Sequence, residues 1–398
     1  MTPLITLRWC KKHRSGYNNL PVFNMKIMKI IDLPLELKEL STSFDDLGHS
    51  LLGIRNGEEM CVVDAEAGSL LFTIDKCFDG VEGLCIGDEN AVYIAREFMA
   101  DRFMTAHDRK TGTEIWHCQL SKNANQFCGP LTQDDKYIYH TDYRNIIVID
   151  KAKGKRLNKF KVQNEDMELG TRYIIPWQEK VLYSGWVSEG KGKNKQYSLV
   201  LSIYDPLSKD SAYIEDILTV KGRIGLQKCQ LIGDMLYYMP YDAVLRVIDL
   251  NTKKVVFEHD FVPNGDQTMQ GYREGYVSKF VCDGDKVHFM VLTTDTERNK
   301  EDNFTKHRYF STLDTTSWKI DVTEEQDEYV YRDYYYDGLY SFKAGANLVI
   351  NRPSHNEDKI SCGGSVHGLV ATNSNMCAVA ENDANNQSKV LIINMHNQ

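Results

Sequence analysis

Short runs of β-branched, aliphatic and aromatic residues alternate with polar ones along most of the chain, and an aspartate followed by turn-forming residues closes them repeatedly. The copies are CVVDAEAGSLLFTI around Asp64, TAHDRKTGTEIWHC around Asp108, IIVIDKAKGKRLNKF around Asp150 and LSIYDPLSKDSAYI around Asp205. LRVIDLNTKKVVFEH around Asp249, FSTLDTTSWKIDV around Asp314 and the terminal VLIINMHNQ with Asn394 continue the series. Period-two alternation places one face of such a run in a core and predicts a strand. Asp accepts backbone N–H bonds in its own turn, and Gly68, Gly112 and Gly154 can take the positive φ of a tight turn. Each copy therefore predicts strand, turn, strand.

A second hairpin signal lies upstream of many anchors, as in GDENAVYIA, TQDDKYIYHTDYRNIIVID and GDMLYYMPYDAVLRVID. Three strands per unit are visible, and the apolar stretch before each turn, such as VEGLCIG or KCQLIG, supplies a fourth. Four of the intervals between anchors run about 42 to 55 residues, the size of one propeller blade. The expected fold is all-β: a β-propeller of about seven four-stranded antiparallel blades, with the interval from Asp314 to Asn394 long enough for an eighth. WVSEGKGKNKQYS and TTDTERNKEDNFTKHRY read as charged insertions at hairpin tips. Pro34 and the polar cluster in LPLELKELSTSFDDLG predict a loop or one short helical turn. The strand in MKIMKIIDL is expected to pair with the last strand, KVLIINM, and close the ring, since an open ring leaves exposed edges. The domain reading is a loose basic tail or over-extended start over 1–24 and a single propeller over 25–398.

The spacing of Asp108, Gly112 and Trp116 resembles the quinoprotein-type (PQQ-like) repeat, whose blades carry a D-x-x-x-G-x-x-x-W tryptophan-docking signature. At the tryptophan offset the other copies show Phe72, Asn158, Tyr213, Phe257 and Val322. The resemblance covers roughly residues 60–325 and implies a propeller in which this side chain packs between blades. Enzymes of that family bind a quinone with calcium, often beside a vicinal cysteine pair. This chain has no Cys-Cys, so the resemblance points to the non-enzymatic members, which use the ring as a binding scaffold.

Composition refines this picture. A net charge of −9 disfavours nucleic acid as a partner and suits a basic one. The ten cysteines form no C-x-x-C and several sit in apolar runs, as expected of buried free thiols in a reducing, cytoplasmic compartment. No run of 18 apolar residues occurs, so no membrane contact is expected.

Candidate chemistry is sparse. His107 and His117 flank one turn, and His140 belongs to the next unit; His355 and His367 frame Cys362, with a Gly-Gly read as a hairpin turn. No phosphate loop, H-E-x-x-H, G-x-S-x-G or EF-hand spacing accompanies them. We therefore assign no catalytic, cofactor-binding or metal-ligating set and expect no cofactor. DEYVYRDYYYDGLY carries six tyrosines, a composition suited to protein contact. Tyr331, Arg332, Tyr334, Tyr335 and Tyr336 are the candidate partner-binding residues, with Trp177 and Trp186 in a second stretch. The expected function is a non-catalytic protein-binding scaffold, such as an immunity or inhibitor-type protein. The alternative is a propeller enzyme, a lyase, hydrolase or quinone-dependent oxidoreductase, with its site at the central channel.

Overall fold

A four-stranded sheet of six-residue strands has two apolar faces and cannot bury either alone, so the repeats must stack. The computed structural model describes residues 27–34, 42–56, 59–75, 85–98, 101–122, 131–142, 145–162, 174–189, 196–209, 212–221, 226–240, 243–261, 276–277, 280–298, 304–328, 334–337, 340–343, 347–351, 358–364, 366–371, 375–381 and 387–394. Among these every regular element is a strand, and no helix is long and apolar enough to cross a membrane.

The first strand, β1 (Ile27–Leu33), is set aside by the chain for its end. Blade one is β2 (Thr42–Gly48), β3 (Leu51–Asn56), β4 (Glu59–Asp64) and β5 (Ser69–Ile74). Blade two is β6 (Cys85–Gly87), β7 (Ala91–Phe98), β8 (Asp101–Asp108) and β9 (Glu114–Lys122). Blade three is β10 (Thr132–Gln133), β11 (Tyr137–Asp142), β12 (Asn145–Asp150) and β13 (Lys155–Lys161). Blade four is β14 (Ile174–Trp177), β15 (Lys180–Glu189), β16 (Gln196–Tyr204) and β17 (Tyr213–Lys221). Blade five is β18 (Leu226–Ile232), β19 (Met235–Pro240), β20 (Val244–Asp249) and β21 (Lys254–Asp260).

Blade six is β22 (Tyr276–Val277), β23 (Val281–Asp283), β24 (Lys286–Arg298), β25 (Phe304–Asp314) and β26 (Lys319–Glu328), with β22 and β23 sharing the position of the first strand beside β24. Blade seven is β27 (Tyr334–Asp337), β28 (Tyr340–Lys343), β29 (Asn347–Asn351) and β30 (Asp358–Ser361). Blade eight is β31 (Val366–Ala371), β32 (Asn375–Glu381), β33 (Ser388–Asn394) and, as its fourth strand, β1.

The count is eight, the higher of the two numbers the anchor spacing allows. The added unit is blade seven, in the long last interval, whose third strand ends at Asn351. Ring closure follows the expected pairing: Ile30 lies opposite Leu391 and Ile31 opposite Val390. The segment expected as a loop or helical turn holds β2, whose Leu47 is buried and whose Gly48 turns the chain at φ 82°. The Gly-Gly expected in a hairpin instead lies between β30 and β31, strands of two different blades.

First strands of successive blades lie side by side, β2 with β6 and β31, β10 with β14, and β18 with β22, so they surround the axis. The core sits between blades rather than within them. Leu131, Ile138 and Ile147 of blade three pack with Tyr93, Met104 and Leu120 of blade two, and corresponding clusters join blades one to two, three to four, four to five, five to six and eight to one.

A β-bulge on the outer strand makes the docking signature work. In blade two Ala106 pairs with Trp116 and His107 with Glu114, which leaves Ile115 as the extra residue. Leu71, Leu157 and Val256 are bulged in the same way in blades one, three and five. The bulge re-aims the next side chain along the blade face. Trp116 consequently lies over Gly154 of blade three, its Nε1–H donating to Lys151 O at 2.8 Å. A Cβ on Gly154 would meet the indole at 2.4 Å, and a Cβ on Gly112 would meet Phe72 of blade one at 2.6 Å.

The degenerate copies dock by other chemistry. Asn158 donates to the carbonyls of Pro206 and Ser208 at 3.1 and 2.8 Å. Phe257 stacks on Trp318, which takes the left-handed conformation at φ 53° where blades one, two and three have glycine. Lys29 of β1 covers Gly68 and donates to Ala67 O at 3.2 Å, the corresponding contact across the closure. Blade six has no such bulge opposite Ser311 and Thr312, and its Val322 stays exposed at 37%.

Candidate functional site

Antiparallel connectivity divides the ring into two ends. Turns between first and second, and between third and fourth, strands share one end; the hairpins between second and third strands and the links between blades share the other. The anchor aspartates belong to the first end. Asp108 Oδ1 accepts from the backbone N–H of Lys110 at 3.0 Å and of Thr111 at 2.8 Å, and from the Thr111 hydroxyl at 2.9 Å; these bonds hold its carboxyl below the usual range.

The turn aspartates of the same end are built into the blades. Asp88 accepts from Ala91 N and Tyr93 Oη at 2.9 Å and from Lys151 Nζ of the next blade at 2.7 Å. Burial raises the carboxyl, but Lys151 and these N–H and O–H donors together hold it below its ordinary value. Asp134 repeats the arrangement with Tyr137 N at 2.7 Å and Tyr139 Oη at 2.5 Å. Burial and the neighbouring carboxylate push both tyrosine hydroxyls well above the normal range. Arg109 reaches back to Asp64 Oδ2 at 2.9 Å, so anchor and turn charges tie consecutive blades together.

The histidines do not converge. His107 is buried, with Nδ1–H donating to Gly112 O at 3.0 Å and Nε2 accepting from the Thr105 hydroxyl at 3.0 Å. Burial depresses its pKa, which favours that neutral tautomer. His117 is exposed and stacks on Phe103 with centroids 4.5 Å apart, and His140 is buried in β11 of the next blade. Cys362 is buried with its thiol 3.5 Å from Ile360 O; His355 lies outside the described residues, and His367 is placed only as a position in β31.

Cys61, Cys85, Cys118, Cys229, Cys362 and Cys377 are free and buried, and burial pushes the Cys61 thiol to about 11. Cys282 is free but exposed. Among the described residues no three His, Cys, Asp or Glu side chains form a group that could hold a metal ion.

The tyrosine-rich segment splits. Tyr334, Tyr335 and Tyr336 form most of β27, the first strand of blade seven, opposite Lys343, Phe342 and Ser341. Tyr331 and Arg332 lie outside the described residues. Trp177 is buried at 8% and donates Nε1–H to Asp234 Oδ1 of blade five at 2.9 Å, so its ring packs between blades four and five. Trp186 stands opposite Leu199 in the lengthened hairpin of blade four.

That hairpin belongs to the second end. β15 and β16 stay paired out to Glu189 and Gln196, and β24 and β25 out to Arg298 and Phe304. β24 and β25 run 13 and 11 residues, against 6 each for β3 and β4. Both charged insertions are therefore hairpin extensions, as the sequence predicts, and both stand on the end opposite the anchor aspartates. Sequence reading passed over the Asp88–Lys151 and Asp134–Tyr139 locks, whose only local signal is Asp five residues before Tyr.

No protein-family model matches the sequence, and no curated protein matches it. Solved structures do. BamB from Moraxella catarrhalis aligns with TM-score 0.53 at 13% identity over 93% of this chain and 100% of its own. The quinohemoprotein alcohol dehydrogenase from Comamonas testosteroni aligns with TM-score 0.54 at 12% identity, covering 94% of this chain and 77% of that one. The WD40 domain of SCAP from fission yeast gives TM-score 0.55 at 11% identity over 92% and 98%. At these identities the likeness is one of fold, which hosts enzymes and non-enzymes alike. The chain is a β-propeller.

Proposed function

We propose that this chain is a non-catalytic propeller that binds a protein partner through the end of the ring bearing the lengthened hairpins. The observation that carries this reading is the division of labour between the two ends. At the anchor end, Asp108, Asp134 and His107 are engaged by groups of their own blades, and Asp88 also by Lys151 of the next blade, so these side chains serve the frame. At the other end, blades two, four and six raise longer hairpins than blades one, three and five. Loops on a rigid frame are where such folds place recognition.

The finer reading is an immunity or inhibitor-type protein that occludes a toxin or enzyme in the cytoplasm. The net charge of −9 supports a basic partner, and the buried thiols support a reducing compartment. The test is co-purification from native lysate with the wild-type chain, with a variant whose β24–β25 hairpin is shortened by removing residues 295–303, and with the triple variant Tyr334→Ser, Tyr335→Ser, Tyr336→Ser. A defined protein that is retained by the wild type and lost on shortening, at unchanged melting temperature, supports the reading. Retention by the shortened variant overturns the assignment of that end. Dye-linked oxidation or hydrolysis by the purified chain would replace the whole reading with the channel enzyme.

A further inference from the structure

The outer strands of the blades differ in how they end their sheets. An extra residue interrupts the pairing of β5, β9, β13, β17, β21 and β1 with the neighbouring strand, and β30 has only four residues. β26 has neither feature. Its ten residues pair one for one with β25, from Lys319 opposite Asp314 to Glu328 opposite Thr305. Bulges and short lengths keep a sheet edge from recruiting another strand, because they break the flat row of N–H and C=O groups that a new strand would use. β26 keeps that row intact. It ends its sheet and, among the described strands, pairs with β25 alone.

The chemistry of this edge selects its occupant. β26 reads KIDVTEEQDE, five acids and one lysine, more acids than any other outer strand carries. β25 answers part of that charge: Lys306 lies opposite Asp327, Arg308 opposite Glu325, and Glu324 Oε1 accepts from His307 Nδ1 at 2.9 Å. Asp321 and Glu328 lie opposite Thr312 and Thr305, so the two strands together stay acidic. Like charges disfavour an acidic neighbour, β26 of a second copy included, and the same residues favour a basic one. The net charge of −9 acts in the same direction at longer range. Unbroken alternation also gives the two faces different demands: Asp321 is exposed on one, and Val322 is exposed at 37% on the other, beside Ile320. An added strand therefore meets carboxylates at alternate positions on one face and an uncovered aliphatic side chain on the other.

We propose that the open edge of β26 binds an extended basic segment of a partner protein as an added antiparallel strand. Main-chain hydrogen bonds to β26 hold the segment, its basic residues lie opposite Asp321, Glu325 and Asp327, and a β-branched side chain covers Val322. The proposal rests on the reading of a basic protein partner, and it places that contact on the outer edge of blade six rather than on the hairpin tips.

The test uses the full chain and fluorescein-labelled Lys-Thr-Lys-Thr-Thr-Val-Lys, read by anisotropy at low salt. The control, Lys-Thr-Lys-Pro-Pro-Val-Lys, has equal charge but lacks two backbone donors. The wild type binds the first peptide at least tenfold more tightly than the control. At saturation, amide exchange slows at alternate residues of β26, those whose N–H points away from β25, and at no other outer strand. The double variant Asp321→Lys, Val322→Lys, altered only at exposed positions, loses at least tenfold in affinity at unchanged melting temperature. The hairpin-shortened variant keeps peptide binding whatever it does to partner capture, so the two readings fail separately. Equal binding of the two peptides, or binding that leaves β26 exchange unchanged, reduces the effect to charge attraction and overturns the proposal. Equal binding by the double variant, or no binding by the wild type, overturns it too. A wild type that sediments as a dimer and becomes a monomer on Val322→Lys gives the edge to a second copy and overturns it as well.

Discussion

Gly154 carries two demands at once. Its φ of 60° lies in the left-handed region, and its missing Cβ leaves room for the Trp116 ring. Gly284 has a similar φ of 58° but nothing within 4 Å of where its Cβ would stand. Gly154→Ala should therefore cost roughly 3 kcal/mol or more in urea denaturation, from overpacking added to backbone strain. Gly284→Ala should cost only about 1 kcal/mol, for the backbone alone. Equal losses at the two sites would show that Trp116 can move aside and that the docking does not hold the blades.

His107 supplies a second residue-scale prediction. Burial lowers its pKa in the fold, and burial likewise lowers those of His259 and His288. A histidine whose folded value lies below the unfolded one, near 6.5, contributes stability that is complete above that value and is lost as pH falls. Asp88, Asp108 and Asp234, with lowered carboxyls, lose their contribution at still lower pH. The urea midpoint should fall from pH 7 to pH 5, and His107→Gln should flatten that decline. A midpoint that rises over this interval would contradict the buried neutral assignment.

The strand is the scale at which reading from sequence both succeeded and stopped. Asp-anchored turns were legible because their chemistry is local: Asp108 bonds N–H groups two and three residues away. The bulges were not, because Leu71-Phe72 and Ile115-Trp116 read as a break in alternation until the partner strand fixes which residue is extra. Blade seven was legible only as the length of the interval from Asp314 to Asn394, because the tyrosine run obscures its alternation. Trp177 could not be assigned from sequence, since what buries it, Asp234 and the blade-five core, lies 57 residues on.

β1 offers the element-scale test. Ile31 and Leu33 are buried in the cluster that joins blade eight to blade one. A chain starting at Met25 should melt with the full-length protein. Removal through Ile31 strips the edge of β33 and one buried isoleucine, which should cost on the order of 3 kcal/mol or more, several degrees in the melting temperature. Equal melting of all three chains would remove β1 from the structural core.

For the molecule as a whole, six core clusters each span two blades. Stability is then a chain of nearest-neighbour interfaces, and only closure gives the terminal blades a second neighbour. That rigidity explains how blades can hold long hairpins in fixed places while Asp88, Asp134 and His107 serve the frame. The ring depends on the pairing of β1 with β33, seven residues on each side. Amide hydrogen exchange on the full-length chain tests it most directly. The inward-facing alternate amides of β1 should be protected to the same order as those of β33 and β32, opening only with the ring. Exchange of every β1 amide at the rate of an unstructured peptide, beside a protected β33, would contradict closure by the N-terminal strand and the account built on it.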